Sequence, residues 1–232
     1  MLATVLVGCG TSVAAGNHQA ASTPSPTPSA SPAGRGTTIL RVLFDGTQHA
    51  FSDTLDNDTV FRGPKPPGYH IMVKSAPTLQ YRTVNALTNI VGHEQQEDVD
   101  IDVMATREDT GPADAASYGV ICRGTPSGSF YYFAVGSDGF IAIERSSSSD
   151  SPPTKLASGT LPQPPGAGTA HLVRGTCLGS ELALYVDSTE KPVLKATDPA
   201  PLHGGGVGME LAGQAGTDVA FEKFEVRLPP GQ

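Results

Sequence analysis

Three aspartates stand at alternating positions in the segment EDVDIDVMA, at Asp98, Asp100 and Asp102. Successive side chains of a β-strand point to opposite faces, so on a strand these three carboxylates share one face. Two carboxyl groups about 5–5.5 Å apart can act as nucleophile and acid/base in retaining glycoside hydrolysis. Asp98, Asp100 and Asp102 are therefore the candidate catalytic carboxylates. The alternative, which we favour, is a solvated strand face, because apolar residues alternate with the acids.

Aromatic residues and one arginine form a second candidate set. Phe130, Tyr131, Tyr132 and Phe133 are consecutive, so alternation places Phe130 and Tyr132 on one face of a strand and Tyr131 and Phe133 on the other. One pair is expected in the core and the other on an outer sheet face. Tyr and Arg make stacking and bidentate contacts to sugars or peptides, so Arg123, Tyr131 and Tyr132 are the candidate ligand-binding residues. Core packing is the alternative for each of them.

Other kinds of chemistry lack a motif. The run Ser146–Ser149 is a polar loop without a Gly-x-Ser-x-Gly elbow, and HGGGVGMELAG lacks the Gly-x-Gly-x-x-Gly pattern of a phosphate loop. Metal sites need Cys-x-x-Cys pairs or clustered histidines. The six histidines are scattered, at positions 18, 49, 70, 93, 171 and 203. We therefore expect no metal, no cofactor and no catalytic residue other than the aspartates of the hydrolase alternative.

The first cysteine stands at the end of a short apolar run. Leu6-Val7-Gly8-Cys9 resembles the lipobox of bacterial lipoproteins, in which the signal peptide is cut before the cysteine and the thiol receives a diacylglycerol. The resemblance implies that residues 1–8 belong to a signal segment and that Cys9 is lipidated. It also implies that the protein is anchored on the extracellular face of the cell membrane. Only eight residues precede Cys9 and none is basic, so we expect the natural start to lie further upstream.

A segment of low complexity follows the cysteine. Of the 29 residues 10–38, 24 are Gly, Thr, Ser, Ala or Pro, and none is aromatic. Such a segment cannot bury enough apolar surface to offset the loss of chain entropy, so we predict a disordered stalk over residues 9–38. Its Pro-x-Pro portion favours extended polyproline II at roughly 3.1 Å per residue.

Charge and hydropathy exclude two classes of partner. Residues 1–38 hold no acid and one base, so residues 39–232 carry 14 basic against 23 acidic residues, a formal charge of −9. An acidic body argues against nucleic acid and against electrostatic attachment to an anionic membrane surface. No apolar run approaches the roughly 20 residues of a spanning helix. Attachment to a membrane is therefore expected through the lipid alone.

The body of the chain shows strand patterns. From Ile39 onward, short runs rich in Val, Ile, Phe and Tyr are separated by Gly, Pro, Ser and Asp. Many short strands after one another predict an all-β fold, an antiparallel two-sheet jelly-roll sandwich over residues 39–232. The predicted strands are 39–44, 69–74, 79–84, 99–107, 117–124, 130–135, 140–145, 171–177, 181–187, 191–197, 206–211 and 219–228.

The two remaining cysteines fall in predicted strands. An exported protein folds in an oxidising space, where Cys122 and Cys177 can pair as a disulfide. Closing a loop of roughly 55 residues would add about 4 kcal/mol through chain entropy. Buried free thiols are the alternative.

Several segments in order resemble one superfamily. They are YGVICRG, SFYYFAVGSDGFIAIER, HLVRGTCLGSELALYVDS and GGVGMELAGQAGTDVAFEKFEV. Together they resemble the concanavalin A-like lectin/glucanase superfamily over roughly residues 99–228. They are more closely similar to the laminin-G-like or 3-keto-disaccharide-hydrolase-like domains of actinobacterial lipoproteins and of the outer parts of some Ser/Thr kinases. Where members commonly carry Asn-Gly, this chain has Asp187-Ser188.

The resemblance implies a fold that serves lectins, hydrolases and adhesion modules alike. The spacing of Asp98, Asp100 and Asp102 is similar to the Glu-x-Asp-x-Glu strand of laminarinase-type glucanases, in which the outer carboxylates serve as nucleophile and acid/base. The resemblance implies Asp98 and Asp102 as the catalytic pair of a hydrolase, although all three acids here are the shorter Asp. The chain also contains no Trp to form a sugar platform. We therefore expect a non-catalytic extracellular module that binds a cell-envelope glycan or a surface protein, with a glycoside-active hydrolase as the alternative.

Overall fold

A computed structural model describes residues 36–45, 50–51, 54–75, 81–87, 96–109, 116–148 and 151–230, and only the backbone of 81–87. The signal segment, Cys9 and most of the stalk lie outside the described residues. The described residues form strands and no helix. The strands are β1 (Thr38–Val42), β2 (Leu55–Asp56), β3 (Val60–Pro64), β4 (Tyr69–Val73), β5 (Tyr81–Leu87), β6 (Val99–Arg107), β7 (Ala116–Gly124), β8 (Phe130–Gly136), β9 (Phe140–Ser146), β10 (Thr154–Thr160), β11 (Ala170–Leu178), β12 (Glu181–Val186), β13 (Leu194–Thr197), β14 (Gly206–Gly213) and β15 (Asp218–Arg227).

The strands form two antiparallel sheets. The nine-stranded sheet has the order β13-β12-β11-β6-β15-β4-β3-β2, with β1 also paired to β15. The six-stranded sheet has the order β10-β9-β8-β7-β14-β5. Neighbours in space are often distant in sequence, as when β14 lies between β7 and β5. The prediction of an all-β, two-sheet jelly-roll sandwich is confirmed.

The core lies between the inner faces of the two sheets. In β6, the apolar residues Val99, Ile101 and Val103 are all buried in the core, as strand alternation predicts. Tyr131 and Phe133 of β8 approach from the other sheet and are completely buried. Burying one large apolar side chain contributes about 1.5–3 kcal/mol, so this interior is the main source of stability.

A disulfide joins the two sheets through the core. Cys122 of β7 and Cys177 of β11 are both fully buried, and their Cα atoms are 6.7 Å apart. The predicted bridge is confirmed, and the free-thiol alternative is excluded.

Three observed strands, β2, β3 and β10, were not predicted from the sequence. β2 contains two residues, and β3 includes a glycine and a proline, which are poor strand formers. β10 (TKLASGT) is an edge strand of mostly small and polar residues. Its residues do not alternate regularly between exposed and buried positions, so the residue pattern did not indicate a strand. The described part of the chain also contains no helix long and apolar enough to cross a membrane.

Some predicted ends were also displaced. The strand predicted over 39–44 ends at Val42, and Phe44 adopts a left-handed conformation with φ of 54°. The strand predicted over 191–197 begins only at Leu194, because Pro192 precedes it and cannot donate to the ladder. The strand predicted over 79–84 is Tyr81–Leu87, and residues 79–80 lie outside the described residues.

Candidate functional site

The strand register aligns side chains in rows across the outer face of the six-stranded sheet. Tyr132 of β8 pairs with Glu144 of β9, and Glu144 pairs with Lys155 of β10. The next row on the same face is formed by small residues, since Ala134 pairs with Gly119 of β7. Large side chains beside a row of small ones leave a depression that runs across the strands.

A pocket of about 450 Å³ lies over these rows, and we call it the Phe140 pocket. Its walls combine two aromatic rings, two carboxylates and one ammonium group. It is lined by Ala116, Ser117, Tyr132, Ala134, Gly136, Asp138, Phe140, Glu144, Pro153, Lys155 and Ala212.

A tight hairpin positions the ring of Phe140. Asp138 Oδ1 accepts a hydrogen bond of 2.8 Å from the backbone N–H of Phe140, and Gly139 supplies the left-handed turn with φ of 88°. A Cβ on Gly136 would lie 2.5 Å from Asp138 Oδ1 and would displace this cap. The sequence GSDG therefore fixes where Phe140 stands at the pocket wall.

The ring of Phe140 is covered by a cation from the neighbouring strand. Lys155 Nζ lies 4.7 Å from the ring centroid, within the range of a cation–π interaction. Lys155 is exposed, whereas Phe140 and Glu144 are half-buried. The pocket thus offers an aromatic face, a carboxylate and the ammonium group of an exposed lysine.

The three predicted ligand-binding residues lie in different places. Tyr132 lines the Phe140 pocket, although only 1 % of its surface is exposed. Tyr131 faces the core instead, where its hydroxyl donates to Asp198 Oδ2 at 2.7 Å and accepts from the backbone N–H of Leu202 at 2.8 Å. Arg123 is buried at one end of the sandwich, outside the Phe140 pocket.

The contacts of Tyr131 hold a loop against the sandwich. Burial raises the pKa of Tyr131. Burial also acts to raise the pKa of Asp198, but hydrogen bonds from Tyr131 and the Ala200 backbone, together with the Arg145 charge 2.8 Å away, lower it below its ordinary value. These satisfied bonds describe a structural role for Tyr131.

Arg123 and Asp98 meet in a second pocket of about 370 Å³. Arg123 Nη2 donates to Asp98 Oδ1 at 2.9 Å, and Arg123 has an unusual positive φ of 53°. Glu97 and His203 also line this pocket, and His203 Nδ1 is hydrogen-bonded to Glu97 Oε2 at 3.0 Å. Within the described ranges, no group of three or more His, Cys, Asp or Glu side chains is arranged to hold a metal ion.

The three aspartates do not form one catalytic face. Asp98 precedes β6 and lines the second pocket, whose lining does not include Asp102. Asp100 and Asp102 do lie on the outer face of the nine-stranded sheet, but both are nearly buried. Arg174 binds both oxygens of Asp100 at 2.6 Å, and Arg227 Nη1 donates to Asp102 Oδ2 at 2.8 Å. The expectation of a solvated strand face is therefore wrong for this pair, because arginines of β11 and β15 neutralise it.

Arg227 also links Asp102 to a buried glutamate, Glu225. Arg227 Nη2 lies 2.6 Å from Glu225 Oε2, while Arg41 and Thr38 donate to Glu225 Oε1 at 2.9 and 2.8 Å. Burial alone would raise the pKa of Glu225, but the hydrogen bonds from Arg41, Thr38 and Lys223 and the charge of Arg227 lower it to about 2. These ion pairs form a continuous network across four strands.

Of the residues that line the Phe140 pocket, only Tyr132 had been predicted from the sequence as a ligand-binding residue. Phe140 and Glu144 lie in the predicted strand FIAIER, where their even spacing marks them as sharing one face. This spacing was visible in the sequence and could have identified Phe140 and Glu144 as neighbours on one face. Lys155 lies in β10, whose pattern gave no strand prediction, so its position opposite Glu144 followed only from the observed register.

The architecture defines the class of protein as a two-sheet jelly roll of the galectin-like kind. A galectin-like protein of unknown function from Bacillus subtilis has a TM-score of 0.59 at 10 % identity and covers 86 % of this chain and 99 % of its own. A β-glucanase from Bacillus licheniformis has a TM-score of 0.55 at 11 % identity, and the match covers 83 % of this chain and 98 % of the glucanase chain. The carbohydrate-binding module CBM66 from Bacillus subtilis has a TM-score of 0.50 at 12 % identity and covers 74 % and 99 %.

These similarities establish the fold alone, because each identity is far below 25 %. No protein-family model matches the chain, and no curated protein sequence matches it. The more specific resemblance to laminin-G-like or 3-keto-disaccharide-hydrolase-like domains stays a prediction.

Proposed function

We propose that this protein is a glycan-binding module held by a lipid on the extracellular face of the cell membrane. The observation that carries the binding function is the Phe140 pocket, in which an aromatic ring, carboxylates and a lysine converge on one sheet face. The presence of a carbohydrate-binding module among the proteins of similar fold supports this choice.

The chemistry of the pocket suits a sugar. The apolar C–H face of a sugar ring packs against an aromatic ring such as Phe140, which contributes apolar contact with defined geometry. Sugar hydroxyls donate to the carboxylates of Asp138 and Glu144 and accept from the hydroxyl of Ser117. A few oriented polar groups around an apolar contact are what small-ligand sites generally provide.

Replacement of Phe140 by alanine should weaken glycan binding by about tenfold, because loss of a stacked ring removes on the order of 1.4 kcal/mol. The measurement is binding of the full chain to an immobilised glycan array, followed by calorimetry with the best ligand. Tyr185→Ala is the matched control, since Tyr185 is half-buried on the other sheet and also carries a cation, with Arg174 at 4.5 Å.

Two outcomes would contradict this assignment. Equal glycan affinity in Phe140→Ala and in the unmodified protein would place binding elsewhere. Sugar hydrolysis that disappears in both Asp98→Asn and Asp102→Asn would instead support the hydrolase alternative. Circular dichroism of each variant shows whether its fold is retained.

The lipid anchor rests on the sequence LVGC at Leu6 to Cys9 and on the Pro-rich segment that follows it. One acyl chain gives only marginal membrane binding, whereas a diacylglycerol supplies two chains and holds stably. A stalk of Ser, Thr, Pro and Ala then separates the sandwich from the membrane surface. An acidic domain benefits from this distance, because it is repelled by anionic lipids.

Cys9→Ser should release the protein from the membrane fraction. The thiol is the acceptor of the lipid, and serine lacks it. Fractionation and incorporation of radiolabelled fatty acid measure the effect, with Ser12→Ala as control. Membrane retention and labelling of Cys9→Ser would refute the anchor.

A further inference from the structure

The Phe140 pocket already holds a cation that belongs to the chain itself. Lys155 Nζ lies over the face of the Phe140 ring at 4.7 Å, and its strand places it directly opposite Glu144. Asp138 also lines this pocket, and its Oδ1 accepts a hydrogen bond from the Phe140 backbone N–H. An ammonium group in this pocket therefore meets an electron-rich ring in a lining that also contains two carboxylates.

We infer that the Phe140 pocket selects glycans that carry a free amino group, whose ammonium takes the position of Lys155 Nζ. The inference rests on the proposed glycan-binding function and names the class of glycan. Aromatic faces and carboxylates are the groups that recognise ligand cations. A sugar ring that stacks on Phe140 brings an amino substituent into the same place.

Lys155 can leave this position without disturbing the fold. It is exposed, it lies on the edge strand β10, and its four-carbon side chain is flexible. Its ammonium group then returns to water, and the incoming amine replaces one positive charge with another. Lys155 thus acts as an internal competitor for the cation position.

The charge of the pocket disfavours the opposite class of glycan. An acidic sugar would face the carboxylates of Asp138 and Glu144, which repel its negative charge. The chain as a whole has a formal net charge of −8, which repels polyanions and attracts polycations. An N-acetylated amino sugar is neutral, so it gains no attraction between opposite charges from the two carboxylates.

The test compares two ligands that differ only in whether their amino groups are free or acetylated. A glucosamine hexamer with free amines and its fully N-acetylated counterpart are titrated against the full chain by calorimetry at low ionic strength. We expect the free-amine form to bind about tenfold more tightly, with the preference falling as salt is added.

Variants assign the preference to the pocket. Glu144→Gln should remove most of the roughly tenfold preference, and Lys155→Met should raise affinity for the free-amine hexamer about threefold by removing the internal competitor. Glu181→Gln is the matched control, because Glu181 is an exposed carboxylate on the other sheet.

The outcomes separate the two levels of the proposal. Binding of both hexamers with equal affinity, or a preference that survives in Glu144→Gln, overturns the inference and leaves glycan binding in place. Absence of binding to every glycan on the array overturns the proposed function itself, and the inference with it.

Discussion

Replacing both Cys122 and Cys177 by alanine should lower the free energy of unfolding by about 4 kcal/mol. The bridge closes a loop with a sequence separation of 55 residues, so its loss returns a large amount of conformational freedom to the unfolded chain. Alanine is chosen because both sites are fully buried and a serine hydroxyl there would need a hydrogen-bond partner. Urea unfolding followed by circular dichroism measures the change.

A reducing agent provides the internal control. The unmodified protein should lose a similar stability when it is unfolded in the presence of reductant, whereas the double-alanine variant should not respond. If the reduced and oxidised proteins unfold at the same urea concentration, the bridge does not stabilise the folded state.

Strands with one apolar face were predictable from the sequence. VDIDVMATR was predicted over 99–107 and is β6 with the same ends, because every second residue from Val99 to Ala105 is apolar and faces the core. Register had to follow this alternation, since a shift by one residue would turn the apolar residues away from the core and put the aspartates into it. The disulfide was predictable for a related reason, because Cys122 and Cys177 lie at core positions of two strands.

Strands with apolar or aromatic residues on both faces gave less information. In FYYFAVG, Tyr131 faces the core and Tyr132 faces outward, yet both are almost fully buried. Alternation could separate the two tyrosines but could not say which face was which. That choice depends on the strands to either side, and those are set by contacts distant in the sequence.

The partners of the aspartates were also beyond the sequence. Asp100 and Asp102 were visible as a pair on one face, but Arg174 and Arg227 lie 74 and 125 residues away from their partners. Only the order β11-β6-β15 brings these arginines beside the acids. The Phe140 pocket depends on sheet order in the same way, because its residues come from several strands.

Glu225→Gln should lower the free energy of unfolding by about 3 kcal/mol near neutral pH, and this difference should shrink in acid. The pKa of Glu225 is lowered from 4.5 to about 2 in the folded protein, against burial, by Arg41, Thr38, Lys223 and Arg227. A shift of this size corresponds to roughly 3 kcal/mol of preference for the charged form in the folded state.

The sign of the pH dependence follows from the lowered pKa of Glu225 in the folded protein. The unfolded chain binds a proton at Glu225 as the pH falls below about 4.5, while the folded protein does so only near pH 2. The stabilisation is therefore complete above the unfolded pKa and is lost as the pH falls through this window. Glutamine cannot take up the proton, so Glu225→Gln should show a flatter stability profile.

Glu181→Gln serves as the control on the same sheet, because Glu181 is exposed and a surface substitution changes stability by about 0.5 kcal/mol or less. Urea unfolding of the three proteins at several pH values between about 7 and 2.5 gives the profiles. A difference between Glu225→Gln and the unmodified protein that stays constant across this range would show that the charge of Glu225 is not what the network stabilises. The loss would then come from packing and hydrogen-bond geometry around the side chain, which a neutral amide disturbs equally at every pH.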